Sequence, residues 1–316
     1  MKIDKFVLFI IGVIIFSYFF PQWGSKEIIN TISSVGISLI FFFYGLKLSP
    51  SKLKAGLKNW KLHIVVQAST FILFPLLVLL VRPFLQNQEQ ETIWLAFFFL
   101  AALPSTVSSS VVMVSIAKGN MPAAIFNASI SGIIGILLTP LWMGLFVTND
   151  QASFNFIDIY TKLIVQIIVP VVIGLVLQRY LGTFAQKHSS KITLFDKSII
   201  LLIIYKSFAS SFTDHIFSTV SVLDLVFLLV GVLVLFTITY FSIGFIAKKL
   251  KFTIEDQITA QFCGTKKSLV HGTVFSKIIF GNMATIGIVL LPIMLFHATQ
   301  ILIISVIASK FAQRKV

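Results

Sequence analysis

Apolar runs of close to twenty residues recur from one end of this 316-residue chain to the other, and they constrain its fold more than any single motif. A helix rises about 1.5 Å per residue, so ~20 apolar residues match a hydrocarbon core of ~30 Å. Within such a core every backbone N–H and C=O must be satisfied inside the protein, which a helix does by itself. The charged share, 11%, is under half of the roughly one quarter usual in a soluble domain. The chain therefore reads as an all-α polytopic membrane protein. Runs and flanks together mark ten spans, at roughly 6–21, 31–47, 62–83, 92–117, 121–147, 158–180, 194–212, 219–247, 256–281 and 284–309. A single cysteine, Cys263, excludes an internal disulfide framework and a cysteine-rich metal site.

A formal charge of +14 could mark a nucleic-acid binder, so its distribution matters. Lys2 and Lys5 precede the first span. Lys47, Lys52, Lys54, Lys58 and Lys61 surround the second connection, and Lys118 marks the fourth. Arg179, Lys187, Lys191 and Lys197 surround the sixth, Lys248, Lys249 and Lys251 the eighth, and Lys310, Arg314 and Lys315 close the chain. The odd connections hold few bases (Lys26, Arg82, Lys162, Lys277) and most acids, among them Glu27, Glu89, Glu91, Asp150, Asp158, Asp214 and Asp224. That alternation is the positive-inside pattern and expects both termini in the cytoplasm. The basic balance is topology, and no nucleic-acid partner is expected. The first span ends in Tyr18-Phe19-Phe20-Pro21-Gln22-Trp23 without a small-x-small cleavage pattern, as a retained helix with an interfacial anchor would. In 51–61, Leu53, Leu57 and Trp60 share one helical face among lysines, so this segment is either a short amphipathic helix on the inner leaflet or a plain basic loop.

Gly-Asn-Met occurs at 119–121 and again at 281–283, and the same offset maps the first four spans onto spans six to nine. Five spans per half is odd, so the second half enters the membrane inverted. Inverted repeats are a property of secondary transporters, whose sites form at the midplane from discontinuous helices. The expected halves are 1–150 and 151–316. The offset pairs two unusual stretches. Span four carries Pro104-Ser105-Thr106-Val107-Ser108-Ser109-Ser110, and span nine carries Gly264-Thr265-Lys266-Lys267-Ser268 followed by His271-Gly272. Each joins helix-weakening residues to polar side chains at mid-span, where irregular backbone is tolerated only if protein or a watery cavity covers it.

These residues resemble the bile acid:sodium symporter superfamily. Leu103 to Ser110, Gly119-Asn120-Met121 and Phe262 to Leu269 are similar to the branch that holds bacterial relatives of the seventh human solute-carrier-10 protein. The resemblance covers nearly the whole chain. It implies a single transporter unit in a bacterial inner membrane, with a panel domain at about 6–47 and 158–212 and a core domain at about 62–147 and 219–309. Broken helices four and nine would cross in the core. The implied activity is alternating-access transport of a small organic, anionic solute by a monomer or homodimer. Within the resemblance, Gln67 falls where the family places a glutamine near an ion, and Asn127 would face the same crossing. The mammalian relative's association with calcium handling and glycosylation leaves a regulatory membrane protein as the alternative.

Sodium is the ion the resemblance brings, yet the residues argue against it. Sodium-coupled members carry Glu-x-Gly-x-Gln-Asn in span nine, where this chain has Phe262-Cys263-Gly264-Thr265-Lys266-Lys267. A lysine offers only donors, and its ammonium repels a cation. Lys266 and Lys267 sit about 15 Å from either surface of a ~30 Å core, beyond a lysine's reach, so they do not escape to the interface. Three readings remain: a built-in cation in place of sodium, a lysine that binds and releases a proton with His271 as relay, or an anchor for an anionic group. Ser108, Ser109, Ser110, Thr265 and Ser268 could add hydroxyls to a ligand or pack helices closely. Gln67 and Asn127 have the alternative of an interhelical hydrogen bond, and His271 of plain packing. Lys206 is expected to reach the nearby cytoplasmic surface. No zinc, phosphate-loop or nucleophile-elbow motif occurs, and no paired carboxylates lie at mid-span, so no enzyme and no cofactor are expected.

Overall fold

The structure, a computed structural model, describes residues 5–24, 27–48, 57–106, 108–147, 156–213, 222–280 and 286–314. Most of segment 51–61 and the second Gly-Asn-Met, at 281–283, lie outside the described residues, as does the side chain of Ser108. Among the described residues every regular element is a helix. In chain order these are α1 (Lys5–Phe19), α2 (Glu27–Lys47), α3 (Trp60–Ala68), α4 (Phe74–Leu79), α5 (Gln88–Ala102), α6 (Ser108–Ile116), α7 (Met121–Gly144), α8 (Phe156–Leu163), α9 (Val169–Lys187), α10 (Ser189–Thr213), α11 (Val222–Lys249), α12 (Ile254–Gly264), α13 (Leu269–Phe280) and α14 (Ile286–Ala312).

The local sequence explains the boundaries. Side-chain oxygens of Asn87, Asn120 and Thr253 accept from Gln90, Ala123 and Asp256 N–H and so cap α5, α7 and α12. A π turn, Ser69–Leu73, joins α3 to α4 just before Pro75, and a second, Ile164–Ile168, joins α8 to α9 just before Pro170. A proline has no N–H to return to the preceding turn, so a wider register meets least opposition there. Six continuous helical stretches among the described residues are long and apolar enough to cross a membrane: Glu27–Lys47, Trp60–Phe84, Met121–Gly144, Ile157–Lys187, Leu223–Lys249 and Ile286–Ala312. Large apolar side chains such as Phe9, Val165, Phe227, Phe241 and Phe245 are exposed, as a lipid solvent allows and water does not.

The chain divides into two compact units. The first comprises residues 1–49, 148–220 and 273–288. Its tightest crossing is α2 on α9. A Cβ added to Gly45 would lie 2.2 Å from the Val171 carbonyl oxygen, and one on Gly174 would lie 2.2 Å from that of Phe42. Only glycine lets the two backbones approach this closely. Elsewhere in the unit, Tyr205 on α10 donates its hydroxyl to the Phe20 carbonyl at 2.6 Å, and Lys47 pairs with Asp196 at 3.6 Å.

The second unit comprises residues 50–147, 221–272 and 289–316. Its apolar interior includes an aromatic cluster of Trp94, Phe98, Trp142 and Phe146 between α5 and α7. The unit also contains two interruptions of helix, residues 103–106 after α5 and 265–268 between α12 and α13. These two breaks meet, and they position the site.

Candidate functional site

A helix end leaves its last carbonyls without intrahelical donors, so each break raises an accounting question. At the C-terminus of α5, Pro104 cannot donate at all. Ser105 N–H turns aside to Ser131 Oγ at 2.9 Å. The Leu100 carbonyl is met by Leu103 N–H, that of Ala102 by Thr139 Oγ1 at 2.8 Å, and that of Pro104 by Ser268 N–H at 2.9 Å. The carbonyls of Ala101 and Leu103 then both accept from Lys267 Nζ, at 2.6 and 2.9 Å. A third bond runs from Lys267 Nζ to the Thr70 carbonyl at 2.7 Å. Thr70 lies in the π turn before Pro75, and in that register the missing proline N–H is the one Thr70 O would have received. The neighbouring Phe71 carbonyl takes the Trp142 indole N–H at 2.9 Å.

Lys267 is fully buried, and its three ammonium hydrogens meet three carbonyl oxygens. The ring of Phe74, centred 4.2 Å from Nζ, adds a cation–π contact. Backbone carbonyls that replace a hydration shell are the ligands proteins use for bare cations. The ammonium also stands at the negative end of the α5 dipole, where a cation is favoured. Gln300, midway along α14, holds the Lys267 backbone on both sides, accepting from its N–H and donating to its carbonyl, each at 2.9 Å.

Lys266 is equally buried, yet its environment differs. Among the described residues its Nζ has one acceptor, the Ser109 carbonyl at 2.8 Å, in the first turn of α6. Two of its three donors therefore have no protein acceptor there. It also sits at a helix N-terminus, the positive end of a dipole, where an anion and not a cation is favoured. Helix α13 likewise begins at the break, so its positive end is directed to the same region. None of the eleven carboxylates of the sequence belongs to either break.

The other sequence-predicted residues fall into two groups. Ser109 Oγ donates to Thr106 Oγ1 at 2.9 Å, and Thr106 and Ser110 share a hydroxyl bond of 2.7 Å, so these hydroxyls bond among themselves at the start of α6. Thr265 Oγ1 donates to the Gln261 carbonyl at 2.6 Å and closes the end of α12. Ser268 Oγ lies 2.9 Å from His271 Nδ1 and receives His271 N–H at 3.3 Å, capping α13. Gln67 and Asn127 form a pair of their own: Gln67 Nε2 donates to Asn127 Oδ1 at 3.1 Å and to its carbonyl at 3.2 Å. Asn127 Nδ2 in turn reaches His63 Nδ1 and the Ala123 carbonyl. Gln67 precedes Thr70 by about one turn, and Asn127 precedes Ser131 by the same, so the pair lies one turn along from the Lys267 shell. Gln67 Oε1 is buried with no donor among the described residues. Sequence pattern did not single out Thr70, Ser131, Thr139 or Gln300, which build the shell. The available signals were Pro75 and an isolated amide in the middle of an apolar span.

The breaks, their lysines and the apolar helices point to one comparison. A model of the SBF-like CPA transporter family, the bile acid:sodium symporter type, matches residues 4–313 of the chain. The chain belongs to that family. This SBF-like transporter is 36% identical over 313 residues to an uncharacterized protein of Pseudomonas aeruginosa, covering 99% of this chain and 94% of the relative. It is 33% identical to YfeH of Escherichia coli K12, with the same coverage. Over 317 residues it is 30% identical to sodium/bile acid cotransporter 7 of Danio rerio, covering 96% of this chain and 92% of the relative. As an SBF-like protein it is a multi-pass membrane transporter and not an enzyme, working in lipid on a small-molecule solute.

Proposed function

We propose that this chain is a transporter that moves a small organic anion by alternating access, in which the Lys267 ammonium takes the structural place of the sodium ion of sodium-coupled relatives. The observation that carries the reading is the shell of Thr70, Ala101 and Leu103 carbonyls closed on Lys267 Nζ. A cation bound there by the chain itself neutralises the C-terminus of α5 without leaving in each cycle, so transport needs no sodium. Lys266 takes the other role. Its two unfilled donors and the N-termini of α6 and α13 favour a carboxylate, sulfate or phosphate on the solute. The hydroxyls of Ser109, Ser110, Thr265 and Ser268, together with Gln67, Asn127 and His271, would line or support that place.

The wider reading is ten spans in a 5+5 inverted repeat, working by alternating access in a bacterial inner membrane with both termini cytoplasmic. The alternating charge of the connections supports the orientation, and the paired breaks support the repeat. The unit of 1–49, 148–220 and 273–288 would act as panel, and the other as core.

Uptake into proteoliposomes tests this. A panel of organic carboxylates, sulfates and phosphate esters is offered under sodium, proton or no gradient. The expected result is uptake of at least one anion that ignores sodium and falls at least tenfold in Lys266→Ala. Uptake that requires sodium, or that survives Lys266→Ala unchanged, would sink the reading. Uptake driven by a proton gradient and lost with Lys267→Met would assign the proton-carrier role to Lys267 instead of a fixed charge.

A further inference from the structure

The first unit holds a second pair of lysines, and among the described residues no carboxylate pairs with either. Lys206 on α10 and Lys277 on α13 converge on the start of α2. Lys206 Nζ donates to Asn30 Oδ1 at 2.9 Å. Lys277 Nζ donates to Ser34 Oγ at 2.9 Å and to the Asn30 carbonyl at 3.3 Å, and Ser34 Oγ itself donates to that carbonyl at 2.9 Å. Two ammonium groups from different helices are thus held at one asparagine, and their acceptors among the described residues are all neutral. Both lysines are half-buried and Asn30 is exposed, so the place is open on one side.

Lys206 does not sit where its sequence position suggests. Lys47 at the end of α2 pairs with Asp196. Lys206 lies ten residues beyond Asp196 on α10, about 15 Å along the axis, and meets the opposite end of α2. It is held there by Asn30 and does not reach toward the Lys47 surface.

Like charges brought to one residue repel, and half-burial weakens the water that would screen them. The ion pairs among the described residues are Lys47–Asp196 and Arg314–Glu255, and Glu27, one turn before Asn30, pairs with neither lysine. A ligand carrying one to two negative charges would offset the pair, and a phosphate group does so, a diester with one charge and a monoester with close to two, through oxygens suited to the point charge of an ammonium. We propose that Lys206, Lys277, Asn30 and Ser34 form a phosphate-binding site on the first unit, which takes the phosphate of a free ester or of a lipid headgroup. The proposal is independent of the crossing lysines and of what is carried there.

The test uses the purified full chain in detergent. Inorganic phosphate is the free-ligand probe, read by melting temperature at constant ionic strength. Retention of phosphatidylglycerol against phosphatidylcholine, read by native mass spectrometry, is the lipid probe. Wild type is compared with Lys206→Gln, Lys277→Gln, the double variant, the two arginine variants and Lys118→Gln, which lies in the other unit. Phosphate is expected to stabilise wild type, each glutamine variant to need at least tenfold more of it, and the arginine and Lys118→Gln variants to follow wild type. If phosphate has no effect while phosphatidylglycerol is retained by wild type and lost from the double variant, the site stands and its source is lipid. A wild type that responds to neither probe, or a double variant that responds like wild type, overturns the proposal.

Discussion

Two neighbouring lysines in the same four-residue break do different work, because one ammonium is saturated and the other is not. Lys267 meets three carbonyls and Lys266 meets one. Removing Lys267 as Lys267→Met leaves three buried carbonyls without donors, at roughly 1–3 kcal/mol each, so unfolding in detergent should show a loss of ~3 kcal/mol or more. Lys266→Met orphans one carbonyl already in a helix, so its stability should stay within about 1 kcal/mol of wild type while anion uptake disappears. Equal stability loss for both would remove the distinction. The lysines themselves were legible in the sequence, since charge in an apolar span is conspicuous. Their acceptors were not, because a backbone carbonyl leaves no residue type behind. Only the prolines that free those carbonyls, Pro75 and Pro104, are visible, and only Pro104 was read. Cys263 is fully buried, and its carbonyl receives Ser105 Oγ at 2.6 Å.

Among the elements, the two breaks were readable from Pro104 and Gly264, whereas the π turns were not, because a proline near mid-span signals a kink of unspecified kind. The first Gly-Asn-Met has a local cause. Lys118 takes a left-handed φ of 55° as α6 ends, and Gly119 N–H reaches back to the Val114 carbonyl at 2.9 Å. Asn120 caps α7 and also donates to Asp256 Oδ1 at 2.8 Å, while Asn59 donates to Asp256 Oδ2 at 2.5 Å. One carboxylate therefore ties three segments of the second unit. In the first unit the α2–α9 crossing rests on Gly45 and Gly174, whose added Cβ would meet a carbonyl oxygen in each case. Gly174→Ala should destabilise the protein by about 1–3 kcal/mol through forced separation of the helices. Gly12→Ala, where nothing lies within 4 Å of the added Cβ, should be neutral or slightly stabilising. Thermal unfolding of the two variants side by side checks this, and similar shifts would contradict it.

For the whole molecule, composition and the spacing of apolar runs were enough to place the chain in a membrane, and the break residues were enough to identify its family. The donors left unfilled around Lys266 were not legible, since they appear only once the helices are assembled. The central claim is that Lys267 occupies a cation's place permanently. It is tested most directly by unfolding purified wild type in sodium chloride and in choline chloride at equal concentration, with Lys267→Ala beside it. A sodium site in the native state would raise stability by about 2.7 kcal/mol at a hundredfold excess over its dissociation constant. The account predicts coincident melting of wild type in the two salts. A sodium-specific rise in wild type would show that the ion still binds and that the lysine has not replaced it.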